Sequence, residues 1–229
     1  ATMTYATNVN GQFNFAGLKQ GYDYTVTPQL DKNYLNGVST FDLVLITKHI
    51  LGVQPLNSPY KLIAADVNNS KSVTTLDLIQ LRKLILNIDT KFANNTSWRF
   101  IPASYVFPVP TNPWFAAFPE VLNYNNLGSE VLGADFIAVK IGDVNGSAQA
   151  NLLATEERSL NGRFELEVAD AALKAGEVVR VAVRARELAK VQGYQYTLQL
   201  NTTAATIEQV IPAAVGEANL GQRYLSEGS

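Results

Sequence analysis

Five oxygen-bearing side chains stand close together in the stretch DVNNSKSVTTLDLIQLRKLIL: Asp66, Asn68, Ser70, Thr74 and Asp77. With the backbone carbonyl of Ser72 they fill places 1, 3, 5, 7, 9 and 12 of a twelve-residue calcium loop, whose last carboxylate lies in the first turn of the exiting helix. Every donor is a hard oxygen, which suits Ca²⁺; Mg²⁺ is the poorer fit because it gives up its water reluctantly. The stretch DKNYLNGVSTFDLVLITKHILG, from Asp31, follows the same order at an offset of 35 residues. Its candidate ligands are Asp31, Asn33, the Gly37 carbonyl, Ser39 and Asp42, with Leu35 at the fifth place, where a side-chain oxygen is missing. The bland use of such residues is in turns and helix caps, with Asp42 and Asp77 as acids favoured at a helix N-terminus. Two loops in register favour the ion.

A third fragment, IGDVNGSAQAN, repeats the loop opening with Asp143, Asn145 and Ser147. Its ninth place falls on Asn151 and its twelfth on Ala154, so the loop is incomplete within its own run. Either another segment completes it, with Asp135 as one candidate, or it is only a turn leaving the strand FIAVKI.

The elements that must position these residues are two helices. Over 31–52 and 66–87 the two runs agree at nine of 22 positions, a repeat of one loop-plus-helix unit. Leu43, Ile46 and Ile50 in the first unit match Leu78, Leu81 and Ile85 in the second, at the i, i+3, i+7 spacing of one helix face. The helices are expected to pack face to face, joined by the connection GVQPLNSPYKLIAA. His49 falls at a helical place equivalent to Leu84, with no nucleophile motif beside it.

Composition narrows the chemistry further. The chain has 229 residues, 18 Lys plus Arg against 20 Asp plus Glu, a formal charge of −2, no Cys and one His. That balance gives no electrostatic basis for binding nucleic acid or an anionic membrane surface. No apolar run reaches the roughly 18 residues of a membrane span, and the first residues lack the basic-then-apolar order of a signal peptide. Disulfides, thiol catalysis, Cys-based zinc sites and His-rich transition-metal sites are excluded. Residues 1–150 hold eight Asp and two Glu, whereas 151–229 hold one Asp and nine Glu. Short oxygen side chains suit tight loops and Glu suits solvated faces, so a boundary is expected near residue 150.

The flanks read as β. Phe13 and Phe15, a turn from Gly17 to Gly21, then Tyr22, Tyr24 and Val26 predict one hairpin. Toward the other end, Phe164/Leu166/Val168, Val179/Val181/Val183 and Tyr194/Tyr196/Leu198/Leu200 alternate as strands do. Between repeat and FIAVKI lies a segment with Pro102, Pro108, Pro110, Pro113 and Pro119 among Trp98, Phe100, Tyr105, Phe107, Trp114, Phe115 and Phe118. It is either an aromatic platform for carbohydrate or an ordered loop packed on the two helices, and the packed loop is expected.

Asp-x-Asn at the loop start, Asp at the twelfth place, and LDL running into a helix that ends ILG or ILN resemble the dockerin family. GVSTFDLVLI-KHILG and the later DFIAVKIGDVNG are similar to dockerin-like modules of large secreted proteins from Bacteroidetes-type bacteria. The resemblance covers about residues 31–147 and departs from the family at Leu35, and at Asn36 and Lys71, where Gly is usual. It implies a duplicated half EF-hand that binds Ca²⁺ and pairs with cohesin modules. In that family, loop places 10 and 11 and the residues five and six beyond place 12 meet the cohesin; here these are Thr40, Phe41, Thr47 and Lys48, and Thr75, Leu76, Arg82 and Lys83. Residues 1–29 resemble the end of a prealbumin or carboxypeptidase-regulatory-like β-sandwich, and 151–229 the N-terminal part of a cohesin-like one. The implied fold is multi-domain: a small α dockerin-like module with a long ordered loop at 30–150, flanked by β-sandwich segments cut from a longer chain.

Two functions fit. One is a non-catalytic, calcium-binding assembly or adhesion module of an extracellular bacterial surface or matrix protein. Its partners would be cohesin-like or other β-sandwich modules, with no nucleic acid and no membrane span. The alternative is the anchoring region of a secreted polysaccharide-degrading hydrolase whose catalytic domain lies elsewhere.

Overall fold

The computed structural model describes residues 2–149, 165–172, 174–186, 193–201, 203–222 and 225. The chain divides into two compact units, Ala1–Asn151 with Gln195–Ser229, and Leu152–Tyr194. Among the described residues the fold is mixed α/β, with three short α-helices and small two-stranded antiparallel sheets.

Helix α1 (Thr40–Ile50) and helix α3 (Thr75–Ile85) are the two repeat helices, and they start and stop by the same devices. Ser39 and Thr74 stand at their N-caps, each donating backbone N–H to the acid three residues on, Asp42 or Asp77. At the far ends Gly52 and Asn87 take left-handed φ of 68° and 55°. Their N–H groups donate to His49 O and Leu84 O, and the next residues, Val53 and Ile88, donate to Lys48 O and Lys83 O. That pair of bonds is a Schellman stop, which satisfies carbonyls the helix cannot. The expected contact face is the observed one. Ile46, Leu81 and Ile85 are buried, and Leu43, Ile50 and Leu78 pack against the core.

The connection between the helices contains one more element, α2 (Pro59–Ala65). Ser58 followed by Pro59 marks its start: proline's fixed φ suits the first helical position, where its missing N–H is not needed. Leu62, Ile63, Ala64 and Ala65 are all buried, so α2 lines the core that α1 and α3 close.

The Pro- and aromatic-rich segment is ordered and packed inward. Strand β2 (Trp98–Pro102) pairs antiparallel with β4 (Phe136–Lys140), Trp98 opposite Lys140 and Pro102 opposite Phe136. Phe107 is buried, with ring centroids 5.5 Å from Tyr60 of α2, 5.0 Å from Tyr105 and 5.6 Å from Phe118. Arg99 lies 5.0 Å over the Phe118 ring and pairs with Glu120 through two nitrogens. Phe115 is the ring of this segment left mostly in solvent.

The expected N-terminal hairpin is not formed. Strand β1 (Tyr24–Val26) pairs instead with β3 (Leu122–Tyr124), almost a hundred residues away, with Thr25 donating to Asn123. Residues 13–15 carry no strand; Phe13 and Phe15 rest on each other, and Tyr5 rests on Phe15. A hairpin alone buries little, and β3 offers a partner already held by the packed segment.

In the second unit β5 (Leu166–Val168) pairs antiparallel with β6 (Val183–Ala185). Arg186 bonds Glu165 at 2.8 Å beside that pair. The run at 195–200 carries no strand, although its residues alternate. Phe164 and the turn at 187–192 lie outside the described residues. No helix among the described residues is long and apolar enough to cross a membrane.

Candidate functional site

The run from Asp66 to Asp77 closes on itself through its own polar groups. Asp66 Oδ1 accepts from Ser70 N at 2.8 Å, and its Oδ2 accepts from Lys71 N at 2.8 Å. Ser70 Oγ donates to the Ser72 carbonyl at 3.2 Å. Asn68 N donates to Asp77 Oδ1 at 3.1 Å, and Thr74 N and Oγ1 reach Asp77 Oδ2 at 2.8 and 3.2 Å. Both acids are buried, at 1% and 0% exposure, while Ser70 and Ser72 face solvent. The cradle therefore has a charged floor and an open rim. Burial, with the nearby Asp77 charge adding to it, pushes the Asp66 carboxyl above its ordinary range despite backbone N–H donors that pull it down.

Asp31 and Asn33 do not supply the matching places next to Asp42. Asp31 is exposed, and its Oδ1 accepts from the Tyr34 hydroxyl at 2.7 Å and from Ser97 N at 2.8 Å. Those donors hold its carboxyl below the ordinary range. Lys32 N bonds Ser97 Oγ at 2.8 Å, so this segment fastens the chain to the start of β2. Asn33 is exposed and sits in a turn at φ 53°, with Asn36 N donating to its carbonyl. The reason is visible in Leu35 and Tyr34. Leu35 offers no side-chain oxygen at the fifth place, and Tyr34 stacks edge-on against buried Phe92 at 5.3 Å.

The third fragment takes the vacated places. Asp143 Oδ1 accepts from Ser147 N at 3.2 Å and its Oδ2 from Ala148 N at 2.7 Å. Ser147 Oγ donates to the Gly37 carbonyl at 2.9 Å. Asn145 N donates to Asp42 Oδ1 at 3.3 Å, and Ser39 N and Oγ reach Asp42 Oδ2 at 2.9 and 2.8 Å. Each of these six bonds has its counterpart in the 66–77 run when 143, 145, 147, 148, 37, 39 and 42 are laid on 66, 68, 70, 71, 72, 74 and 77. The backbone follows too: Gly146 and Asn69, both fourth in order, have left-handed φ of 77° and 57°. Val144 and Val67, both second, are fully buried. Asp135, the other candidate for completing this fragment, instead accepts Ala103 N through its carbonyl at the edge of β4.

One glycine permits the joint between the two pieces. Gly37 has φ 73°, and a Cβ there would lie 2.6 Å from the Cα and N of Ala148. Next to it, Asn36 mimics a peptide group, donating from Nδ2 to Gln149 O at 2.7 Å and accepting from Gln149 N at 3.1 Å.

The electrostatics of the two cradles differ. Asp42 is fully buried and Asp143 is 7% exposed. Burial pushes the Asp42 carboxyl up, and the neighbouring Asp143 charge adds to the effect. Lys140, the last residue of β4, is also buried and donates Nζ to Tyr34 O and Ile141 O at 2.7 and 3.0 Å. Burial lowers its pKa to about 8, against the pull of Asp143 and Asp42. The place equivalent to Lys140 in the other cradle is Ile63.

Among the described residues no three His, Cys, Asp or Glu side chains converge. Each cradle has two carboxylates and completes its donor set with Asn, Ser or Thr oxygens and a carbonyl, a chemistry that fits a hard cation and not a soft one. His49, by contrast, is a structural residue whose Nδ1 accepts from Leu56 N at 3.2 Å, and burial lowers its pKa.

The residues assigned by resemblance to a partner face are accessible where it matters. Phe41 is 54% and Leu76 60% exposed, so neither is a core residue. Ile79 is 47% exposed one turn beyond Leu76. Comparison with family models, with curated proteins and with solved structures found no match to this chain.

Proposed function

We propose that this chain carries a calcium-stabilised, non-catalytic module of an extracellular bacterial surface or matrix protein, which works by protein–protein assembly. The observation that carries the reading is the 66–77 cradle. Asp66 and Asp77 are buried carboxylates facing one run of neutral oxygens, and no Lys, Arg or His forms an ion pair with either among the described residues. Buried charge without a counter-charge is unfavourable, and a divalent ion held by Asp66, Asn68, Ser70, the Ser72 carbonyl, Thr74 and Asp77 would relieve it. What the ion supplies is order: it links the entering turn to the first turn of α3.

Assembly is read from the helix starts. Phe41 and Leu76 are large apolar side chains left in solvent next to the buried acids, with Lys48 and Lys83 about two turns on. An apolar anchor with cations around it suits a protein partner. A cohesin-like or other β-sandwich module of the same or a neighbouring chain is the partner proposed.

A ligand that binds only the folded form stabilises it by RT ln(1 + [L]/Kd), about 2.7 kcal/mol at a hundredfold excess over Kd. Thermal melting of the chain in calcium and in excess chelator tests the first half; equal melting temperatures would refute it. For the second half, Leu76→Asp with Lys83→Glu should abolish association with sandwich modules while calcium binding survives. Unchanged association would place the partner surface elsewhere.

A further inference from the structure

We propose that the chain holds a second calcium ion in a split site, whose opening half is Asp143, Asn145 and Ser147 and whose closing half is the Gly37 carbonyl, Ser39 and Asp42. The inference rests on the calcium reading of the 66–77 cradle. It assigns the second ion to two segments joined through Val144 and Asp42, 102 positions apart, and removes Asp31 and Asn33 from the ligand set.

Three independent features meet there. The first is the bond-for-bond match with the contiguous cradle described above, in which Asp143, Asn145, Ser147, Ser39 and Asp42 stand at the loop places of Asp66, Asn68, Ser70, Thr74 and Asp77. The second is the close approach of Gly37 to Ala148, which only a residue without a Cβ allows, and which brings the Gly37 carbonyl to Ser147 Oγ. The third is charge. Asp42 and Asp143 are both buried, and among the described residues neither forms an ion pair. The nearest buried cation, Lys140, directs its ammonium to two backbone carbonyls and can offset one carboxylate, not two. Burying two like charges side by side is strongly unfavourable without a cation between them.

A split site does work that a contiguous one cannot. The 66–77 loop orders twelve neighbouring residues. The split site joins the turn that leaves β4 to the turn that enters α1, so its ion fastens the two ends of the module to each other. Calcium at this site is therefore coupled to the whole fold, and calcium at the other mainly to one loop. Lys140 adds a positive charge near the split site only, so the split site is expected to be the weaker of the two.

Calcium titration of the full chain by calorimetry, with bound calcium counted after dialysis, tests this. The expected result is two ions for the natural sequence, one for Asp143→Asn, one for Asp66→Asn and two for Asp31→Asn. Asparagine keeps an acceptor for the backbone N–H groups, and helical circular dichroism reports whether each variant is folded. If Asp143→Asn fails to fold, Ser147→Ala keeps both carboxylates and should weaken only the second binding step, by about tenfold. Two ions in Asp143→Asn, or one in Asp31→Asn, would overturn the proposal. So would a natural chain that binds a single ion lost in Asp66→Asn, which would leave Lys140 as the only cation at the split site and the 66–77 reading intact. A natural chain that binds no calcium would overturn both readings together.

Discussion

The cradle at 66–77 is built from one continuous run of chain, whereas four of the six bonds in its counterpart around Asp42 involve residues 143–148. The bonds are the same and the route is not. In the first case the turn and the helix start are neighbours, so the cradle assembles as α3 does. In the second, β4 must already lie against β2, because the segment that opens the cradle is the one that leaves β4. Closing a loop of about a hundred residues instead of about twelve costs roughly 2 kcal/mol more by chain entropy alone. That difference is offset by the core that the intervening chain builds: Ile63, Leu81, Leu84, Ile101 and Ile141 are essentially fully buried. A repeat in sequence is thus compatible with unequal dependence on the rest of the fold.

The sharpest way to break the equivalence is at the joint. Gly37→Ala places a Cβ against backbone atoms of residue 148 and at a left-handed φ, so it should destabilise by about 3 kcal/mol or more. Ser72, at the same place in the other cradle, already carries a side chain, and Ser72→Ala should cost well under 1 kcal/mol. Denaturant unfolding of both variants checks the contrast, and equal losses would mean that the Gly37–Ala148 approach is not needed.

Acidity should separate the ion-free protein from one that holds calcium as proposed. Burial raises the carboxyls of Asp42 and Asp66 above the ordinary value of 3.8. Folding without calcium therefore takes up protons between that value and the raised ones. The contribution of these groups is fully present below 3.8 and is lost as pH rises through the folded values. Calcium should reverse the trend, because it requires the ionised acids and is displaced by protons. Melting temperatures from pH 4 to pH 7 in calcium and in chelator should diverge as pH rises, and parallel curves would contradict the account.

Asp31 offers a smaller test of the same contrast. Asp31→Ala removes an acceptor from Ser97 N and from the Tyr34 hydroxyl, a loss of about 1 kcal/mol. The loss should be the same in calcium and in chelator. A larger loss in calcium would return Asp31 to the ligand set.

Much of this was legible in the residues, and the part that was not has a physical reason. The repeat helices, their buried face and the 66–77 cradle follow from periodicity, caps and oxygen spacing, all of which are local. Helix α2 was also announced locally, by Ser58-Pro59 ahead of an apolar run, but those residues read as a connection because the stretch is short and begins with Pro and Asn turn signals. The position of Asp31 and Asn33, bonded away from Asp42, is different in kind. Aligning 31–36 with 66–71 keeps the chain continuous, yet GDVNGS at 142–147 matches ADVNNS at 65–70 in four of six places, whereas LDKNYL matches it in two. Chain continuity favours the poorer match, and the folded chain uses the better one. The strand partner of β1 was out of reach for the same reason: pairing Tyr24 with Tyr124 is set by the packed aromatic segment, not by the turn at 17–21.

The smallest effect refines the intact loop. Lys71 holds a left-handed φ of 65° where the resembling family uses Gly, and its side chain is exposed. Lys71→Gly should stabilise the fold by about 0.5–1 kcal/mol, since glycine adopts that conformation without steric strain. A loss of stability would show that the Lys71 side chain makes a favourable contact.

Crystals of the chain grown in calcium, with diffraction recorded at a long wavelength where calcium scatters anomalously, would locate both ions. Two anomalous peaks are expected, one enclosed by Asp66, Asn68, Ser70 and Asp77, the other between Asp143, Asn145 and Ser147 on one side and Gly37 and Asp42 on the other. A peak bounded by Asp31 and Asn33, or none beside Asp143, would contradict the split site.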